Sequence, residues 1–198
     1  DEWGKLYNFL EGQGFTKEEM LNAGLIKKAP TREAVGEPTV NVGLDRYYET
    51  FRSRIMFPIF DSAGRVIAFS GRLLGENDKA PKYLNSPETE IFRKSEVLYG
   101  FHVAKNVIRK LDYTVIVEGQ IDIVLSHQAG VSNTVASSGT SITEEHLKKI
   151  QKLSTRVIIG YDSDNAGEKA ALRAAEMALG LGMEVKIASL EEGEDPAS

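Results

Sequence analysis

The stretch VIVEGQIDIVLS, Val115–Ser126, sets Glu118 and Asp122 directly behind an apolar run. VIIGYDSDNAG, Val157–Gly167, repeats the arrangement with Asp162 and Asp164. Around these two runs, YTVIV, SNTVASS, TRVIIGYD and EVKIASL read as four strands. QIDIVLSHQAG, the stretch from Thr143 to about Leu153, and NAGEKAALRAAEMALGLG read as the helices between them. Strands that alternate with helices and are apolar throughout belong to a parallel sheet covered on both faces. The predicted class is α/β. All strands of such a sheet end on one edge, and ligands bind there near the switch in strand order. Glu118, after the first of these strands, and Asp162 and Asp164, after the third, are predicted to converge at that edge. Asp195, after the last strand, is predicted to arrive there too.

Outward from this region the pattern changes. Trp3, Leu6, Tyr7 and Leu10 have helical spacing, and Thr16 with Glu19 forms a capping box, so residues 2–28 predict two short helices. Residues 28–43, with Pro30, Gly36, Pro38 and Gly43, predict a loop. RIMFPIFDSAGRVIAFSGR (54–72) predicts a β-hairpin turning at DSAG, with Pro58 marking an edge strand or bulge. A helix is predicted over about 101–111.

The 198 residues suffice for one or two buried cores. No apolar run approaches the roughly 18–20 residues that span a bilayer. The first residue is Asp1, no signal-peptide core follows, and the chain stops at EGEDPAS, which reads as a fragment of a longer protein. Zero cysteines exclude disulfides and thiolate zinc sites and fit a cytoplasmic setting. The formal net charge of −5 is unevenly spread. Residues 51–110 carry 11 Lys and Arg against 6 Asp and Glu, a net of +5; residues 114–198 carry 7 against 13, a net of −6. A basic part beside an acidic part suits one that holds phosphates and one that holds cations.

Clustered carboxylates repel unless a cation intervenes. Oxygen ligands without His or Cys suit Mg²⁺ or Mn²⁺ rather than zinc, and such ions keep waters and bind phosphates. The expectation is that these acids gather closely enough to trap divalent ions. The competing role for Glu118 or Asp162 taken singly is to cap the helix that follows. Asp122, one turn beyond Glu118 on the same helix face, either orients a ligand or is a solvated helix residue. Gly139 and Thr140 in SSGTSIT either bring backbone N–H groups to a phosphate or form a tight turn. His102, His127 and His146 share no acid in sequence and read as structural or surface residues.

An acidic residue plus glycine after the first strand, then D-x-D after the third, is the signature of the Toprim domain. Topoisomerases, primases, overcoming-lysogenization-defect nucleases and recombination mediators share it. EGQID (118–122), SGTSIT (138–143) and YDSDNAGEKAA (161–171) resemble its primase version. YYETFRSRIMFPIFDSAGRVIAFSGR (47–72) and PKYLNSPETEIFRKSEVLYGF (81–101) resemble the basic subdomain of bacterial primases of the DnaG type, PKYLNSPET most specifically. The resemblance covers nearly the whole chain. It implies a Toprim fold, Rossmann-like with a parallel sheet flanked by helices, over 113–198, truncated at its C-terminal end. It implies a mixed α+β basic subdomain over 1–112.

The implied activity is DNA-directed RNA polymerisation: short RNA primers made from ribonucleoside triphosphates on a single-stranded DNA template, by two-metal nucleotidyl transfer. The resemblance carries metal and catalytic roles to Glu118, Asp162, Asp164 and Asp195, with Asp122 beside them. It carries nucleotide and template contacts to Arg52, Arg54, Arg72, Lys82, Asn85 and Lys94, and Tyr83 beside Lys82 is either a stacking platform for a base or packed under the loop. The implied cofactor is Mg²⁺, replaceable by Mn²⁺, with no zinc in this fragment. Implied partners include the RNA primer, the alarmone (p)ppGpp, and, through regions outside this fragment, a zinc-binding module and the replicative helicase at a bacterial fork. The chain departs from the family pattern at Gln120, where an aromatic residue is common, at Ser163, where FDGD is usual, and after Asp195, where Ala197 and Ser198 stand in place of a second acid. The competing functions are another Toprim enzyme, nuclease or topoisomerase, and a non-catalytic nucleotide- or nucleic-acid-binding module.

Overall fold

The computed structural model of the chain describes residues 4–29, 40–42, 45–75, 80–137 and 139–188. By compactness the chain divides into two units, Asp1–Pro58 with Ala68–Phe92 and Ile59–Ile67 with Arg93–Ser198.

In the first unit, α1 (Lys5–Gly12) and α2 (Lys17–Asn22) are the two predicted helices. Thr16 Oγ1 accepts from the Glu19 N–H at 3.2 Å and Glu19 Oε2 accepts from the Thr16 N–H at 2.7 Å, which closes the predicted capping box. Gly4, before α1, has no side chain to cap it. Instead Glu49 Oε1 accepts from the Tyr7 N–H at 3.0 Å and satisfies one of the helix's orphan donors. Tyr7 and Met20 pack with Ile26 and Tyr47 in a small core. Behind them lies an antiparallel sheet ordered β1 (Ile26–Lys28), β3 (Asp45–Glu49), β2 (Val40–Val42).

This sheet differs from the predicted loop over 28–43: Val40–Val42 is a strand, while 30–39 and 43 lie outside the described residues. Three-residue strands carry too little alternation to be legible, and pairing with β3 is what makes them strands.

The hairpin forms as predicted from β4 (Arg54–Phe60) and β5 (Val66–Leu73), with β6 (Tyr83–Asn85) antiparallel to β5. Pro58 sits in β4, an edge strand of this sheet. In the turn, Asp61 Oδ1 accepts from the N–H groups of Ala63 and Arg65, both at 2.9 Å. The hairpin tip, residues 59–67, belongs to the second unit. There Phe60 stacks on His102 with ring centroids 4.2 Å apart, and Lys105 Nζ donates to the Ser62 carbonyl at 2.6 Å.

The second unit carries the predicted parallel sheet, ordered β10 (Glu184–Ile187), β9 (Arg156–Ile159), β7 (Thr114–Val117), β8 (Thr134–Ala136). Its helices are α3 (Phe101–Leu111), α4 (Gln120–Gln128), α5 (Glu144–Gln151) and α6 (Asn165–Gly180). Side chains alternate across the sheet. Ile116, Val135, Val157 and Ile159 enter the main core with residues of α3, α5 and α6, whereas Val117 and Ala136 pack with Ile123 of α4. On α6 the inward positions are Ala171, Ala174, Ala175 and Ala178, small enough for the helix to lie close on β9 and β10. The α3 helix, which the sequence places at the end of the 1–112 region, buries Phe101, Ala104 and Ile108 in this second core. Compactness therefore draws the boundary before Arg93 rather than after residue 112. Among the described residues no helix is long and apolar enough to cross a membrane.

Thr143 caps α5, and its box partner is the buried His146: Thr143 Oγ1 accepts from the His146 N–H at 3.2 Å, and Nδ1 accepts from the Thr143 N–H at 3.3 Å. Burial pushes the His146 pKa from 6.5 down to about 4. The folded imidazole thus resists a proton that the unfolded chain accepts. This contribution to stability is complete above pH 6.5 and is lost as pH falls toward 4, by about 3 kcal/mol at 1.36 kcal/mol per pH unit. Urea unfolding at pH 7 and pH 4.5 should therefore show a smaller acid loss in His146→Gln than in the wild type. Equal losses would mean the imidazole is not held neutral.

Candidate active site

The strand order changes direction beside β7: the chain steps from β7 to β8 on one side, then returns to β9 on the other. The crevice outside the C-terminal ends of β7 and β9 is where open α/β sheets bind ligands. Glu118 follows Val117, the last residue of β7. Asp162 lies three residues beyond the end of β9, and Asp164 is the N-cap of α6.

The structure brings these acids within mutual electrostatic reach. The Glu118 carboxyl is held above the usual carboxylate range, first by burial and then by Asp162, Asp164 and Asp122, while a hydrogen bond from the Asp162 backbone works the other way. Glu118 Oε1 is buried and has no hydrogen-bond partner among the described residues. Such an oxygen costs about 1–3 kcal/mol unless something positive meets it.

The other acids are partly engaged. Asp164 Oδ1 accepts from the N–H groups of Ala166 (2.9 Å) and Gly167 (2.7 Å). Asp122 Oδ2 accepts from the Gly119 N–H at 2.8 Å. Helix capping is therefore a real role of Asp164 and Asp122. Among the described residues no three His, Asp or Glu side chains converge closely enough to cage an ion, so the described acids stand further apart than the expectation of trapped ions requires. Repulsion between the acids and the caps that turn Asp164 and Asp122 toward helix N-termini account for this spread. The donor set nevertheless fits a hard divalent cation: all oxygen, with one buried oxygen unsatisfied. Asp195 lies outside the described residues.

Gly167 sets the spacing. A Cβ built on it would lie 2.2 Å from the Asp162 carbonyl oxygen, so only glycine lets the first turn of α6 pack on the loop that carries the aspartates. The D-x-D draws attention in sequence; the glycine three residues on gives no signal without the fold. A pocket of about 430 Å³ opens beside Glu118, lined among others by Ser137, Thr140, Tyr161, Arg173 and Met177. Thr140 Oγ1 donates to the Ser137 carbonyl at 3.2 Å, the tight-turn role of the SSGTSIT segment.

The basic residues fall in both units. In the first, Arg52 lies over the Tyr48 ring at 5.9 Å. Arg54 lies across Gly71, where a Cβ would come within 2.8 Å of its Cδ. Its guanidinium donates to the carbonyls of Gly71 (2.9 Å), Pro81 (2.9 Å) and Lys82 (3.4 Å). Arg54 thus clasps the 81–82 segment to β5, a structural duty the sequence does not reveal. Arg72 pairs in register with Tyr83, and Ser70 with Asn85, which puts Arg72, Tyr83 and Asn85 on one face of the β5–β6 pair. Lys82, just outside β6, is exposed. Lys94 belongs to the second unit, with the acids.

Residues 1–105 match the family described as the DNA primase catalytic core, N-terminal domain, and residues 115–198 match the Toprim-like family. A DNA primase of Clostridium acetobutylicum is 41% identical over 197 residues, which cover 99% of this chain and 30% of that protein. The chain therefore spans under a third of the length of this curated relative. Among solved structures, a DNA primase domain from Pseudomonas aeruginosa is 41% identical, with a TM-score of 0.81, over 99% of this chain and 58% of that one. A DnaG primase catalytic domain bound to single-stranded DNA is 38% identical, with a TM-score of 0.79, over 99% of this chain and 57% of that one. Toprim-like domains and primase catalytic cores use divalent metals.

Proposed function

The chain belongs to the DNA primase catalytic-core family, and on that premise we propose that it synthesises short RNA primers on single-stranded DNA by metal-assisted nucleotidyl transfer. The observation that carries this reading is the buried, unpartnered Glu118 Oε1 within electrostatic reach of three aspartates at the switch point of a parallel sheet. Glu118, Asp162 and Asp164 hold Mg²⁺, or Mn²⁺ in its place, with Asp195 as a further ligand. When bound, the cations neutralise triphosphate charge and lower the pKa of the primer 3′-hydroxyl. Asp122 holds the Gly119 N–H and so fixes the turn that presents Glu118. Arg52, Arg72, Lys82 and Lys94 neutralise phosphates of nucleotide and template, with Asn85 and Tyr83 beside them, giving salt-dependent, sequence-tolerant binding. Arg54 acts through the 81–82 segment it clasps. The remaining partners are a nucleotide such as (p)ppGpp competing at the same phosphate sites, and a zinc-binding module and replicative helicase supplied by the longer cytoplasmic protein.

The test is incubation with a single-stranded template, ribonucleoside triphosphates and Mn²⁺, following both label incorporation and template cutting. Incorporation that depends on template and metal is expected. Cutting without incorporation points to a Toprim nuclease, and neither outcome points to a binding module. Two substitutions at Asp164 separate chemistry from capping. Asp164→Asn keeps an N-cap as good as aspartate but removes the charge, so it should cost at least about 100-fold in incorporation with an unchanged melting temperature. Asp164→Ala should lose the cap as well, about 1 kcal/mol. An Asp164→Asn chain with wild-type activity would reduce Asp164 to a cap.

A further inference from the structure

Three consecutive backbone carbonyls, those of Lys94, Ser95 and Glu96, are each taken by a side chain of α5 or of its N-cap residue. His146 Nδ1 accepts from the Thr143 N–H, so the other ring nitrogen carries the proton, and Nε2 lies 2.9 Å from the Lys94 carbonyl. Thr143 Oγ1 donates to the Ser95 carbonyl at 2.6 Å. Lys149 Nζ donates to the Glu96 carbonyl. The residues so joined are about 50 apart in sequence, 52, 48 and 53 respectively. A loop has no intrinsic reason to present three successive acceptors to one helix; side chains spaced to meet them form a built attachment.

The helix that makes it is anchored in the core of this unit. Leu147 and Ile150, on the same helix, are fully buried in the core that holds Ile116 of β7 and Ile159 of β9, the strands that end beside Glu118 and Asp162. Helix, sheet and loop therefore share one packed body. The basic residues Arg52, Arg72 and Lys82 lie in the other unit. The backbone of Lys94 is tied to the acid-bearing sheet instead.

We propose that His146, Thr143 and Lys149 form a positioning clasp that fixes Lys94 to the acid-bearing unit, so that this lysine meets the phosphates of a metal-bound nucleotide at a constant distance from the carboxylates. The inference rests on the nucleotidyl-transfer reading above. His146 is a positioning residue, because it touches the Lys94 main chain and reaches the substrate only through it. The clasp ties Lys94 to the unit that carries the acids, whereas Arg72 belongs to the other unit. Their energetic relations to His146 should differ accordingly: residues acting through one another are non-additive, and independent ones add.

The experiment is calorimetric titration of the whole chain with inorganic tripolyphosphate in the presence of Mn²⁺. Lys94→Ala should weaken binding about tenfold, the low end for losing a charge-assisted hydrogen bond. His146→Leu, which keeps the volume but removes both ring contacts, should weaken it about fivefold. Added to Lys94→Ala, it should cost nothing further; added to Arg72→Ala, it should multiply. His146→Gln, which keeps a donor for the Lys94 carbonyl, should return to within about twofold of the wild type. Lys149→Met offers a second arm that leaves the buried histidine in place, and it should weaken binding about threefold. The clasp is overturned if His146→Leu and Lys149→Met leave tripolyphosphate affinity unchanged while lowering the melting temperature. A full multiplicative loss in the His146→Leu, Lys94→Ala double variant would also overturn it. If the wild type itself binds no tripolyphosphate with Mn²⁺, the nucleotidyl-transfer reading fails first and takes the clasp's purpose with it.

Discussion

Glu118→Gln should abolish primer synthesis, by about a thousandfold, and at the same time make the metal-free chain more stable. The two effects have one origin. Glu118 Oε1 is buried and without a hydrogen-bond partner among the described residues, and burial and three aspartates hold its carboxyl above the usual carboxylate range. Glutamine has nearly the same shape. Its oxygen still accepts the bond from the Asp162 backbone, and its amide supplies donors where the carboxylate had none. Removing an unsatisfied buried acceptor is worth about 1 kcal/mol. For a chain of this size that is a rise of about 2–4 °C in melting temperature.

Divalent cation should invert the order. A ligand that binds only the folded state stabilises it by RT ln(1 + L/Kd), with L the free ligand concentration, so Mg²⁺ should raise the melting temperature of the wild type and leave Glu118→Gln nearly unmoved. Thermal scans with and without Mg²⁺, paired with incorporation assays, decide the matter. A variant that keeps a tenth of the wild-type activity would remove Glu118 from the chemistry. A wild type indifferent to Mg²⁺ would remove the cation from the acids.

Gly167→Ala should destabilise the chain by about 3 kcal/mol, although alanine is the better helix former. Propensity by itself predicts the opposite sign, a gain of about 1 kcal/mol at this position in α6. The difference lies in what the new methyl would strike: the Asp162 carbonyl oxygen at 2.2 Å, its carbon at 3.0 Å and the Asp162 nitrogen at 3.1 Å. These are backbone atoms, and no side-chain rotation relieves the contact. Either the first turn of α6 or the 162–164 loop must shift, and both move the aspartates relative to Glu118. The same shift strains the bond from the Gly167 N–H to Asp164 Oδ1. A drop of about 6–12 °C in melting temperature is expected, together with weaker Mn²⁺ binding. A stabilised Gly167→Ala would show that the loop and helix are not in close contact.

The sequence by itself determined the parallel α/β half of this protein. Continuous apolar runs ending at Val117 and Ile159, a capping threonine at 143 and alanine-rich periodicity over α6 are local signals, each decided by residues within a turn or a strand of one another. The edge at which Glu118, Asp162 and Asp164 lie follows from strand direction, so it too was legible. The tertiary structure decided everything that depends on residues distant in the chain. The β1–β3–β2 sheet exists through pairing, not through pattern. Arg54, which the family resemblance makes a template contact, turns its guanidinium to carbonyls 17 to 28 residues away. His146, bland in sequence, holds a loop 52 residues distant. Apolar periodicity and caps are written locally because they record how one element satisfies its own backbone and face. Close approach and long-range hydrogen bonds record how two elements meet, and that geometry exists only after both have packed.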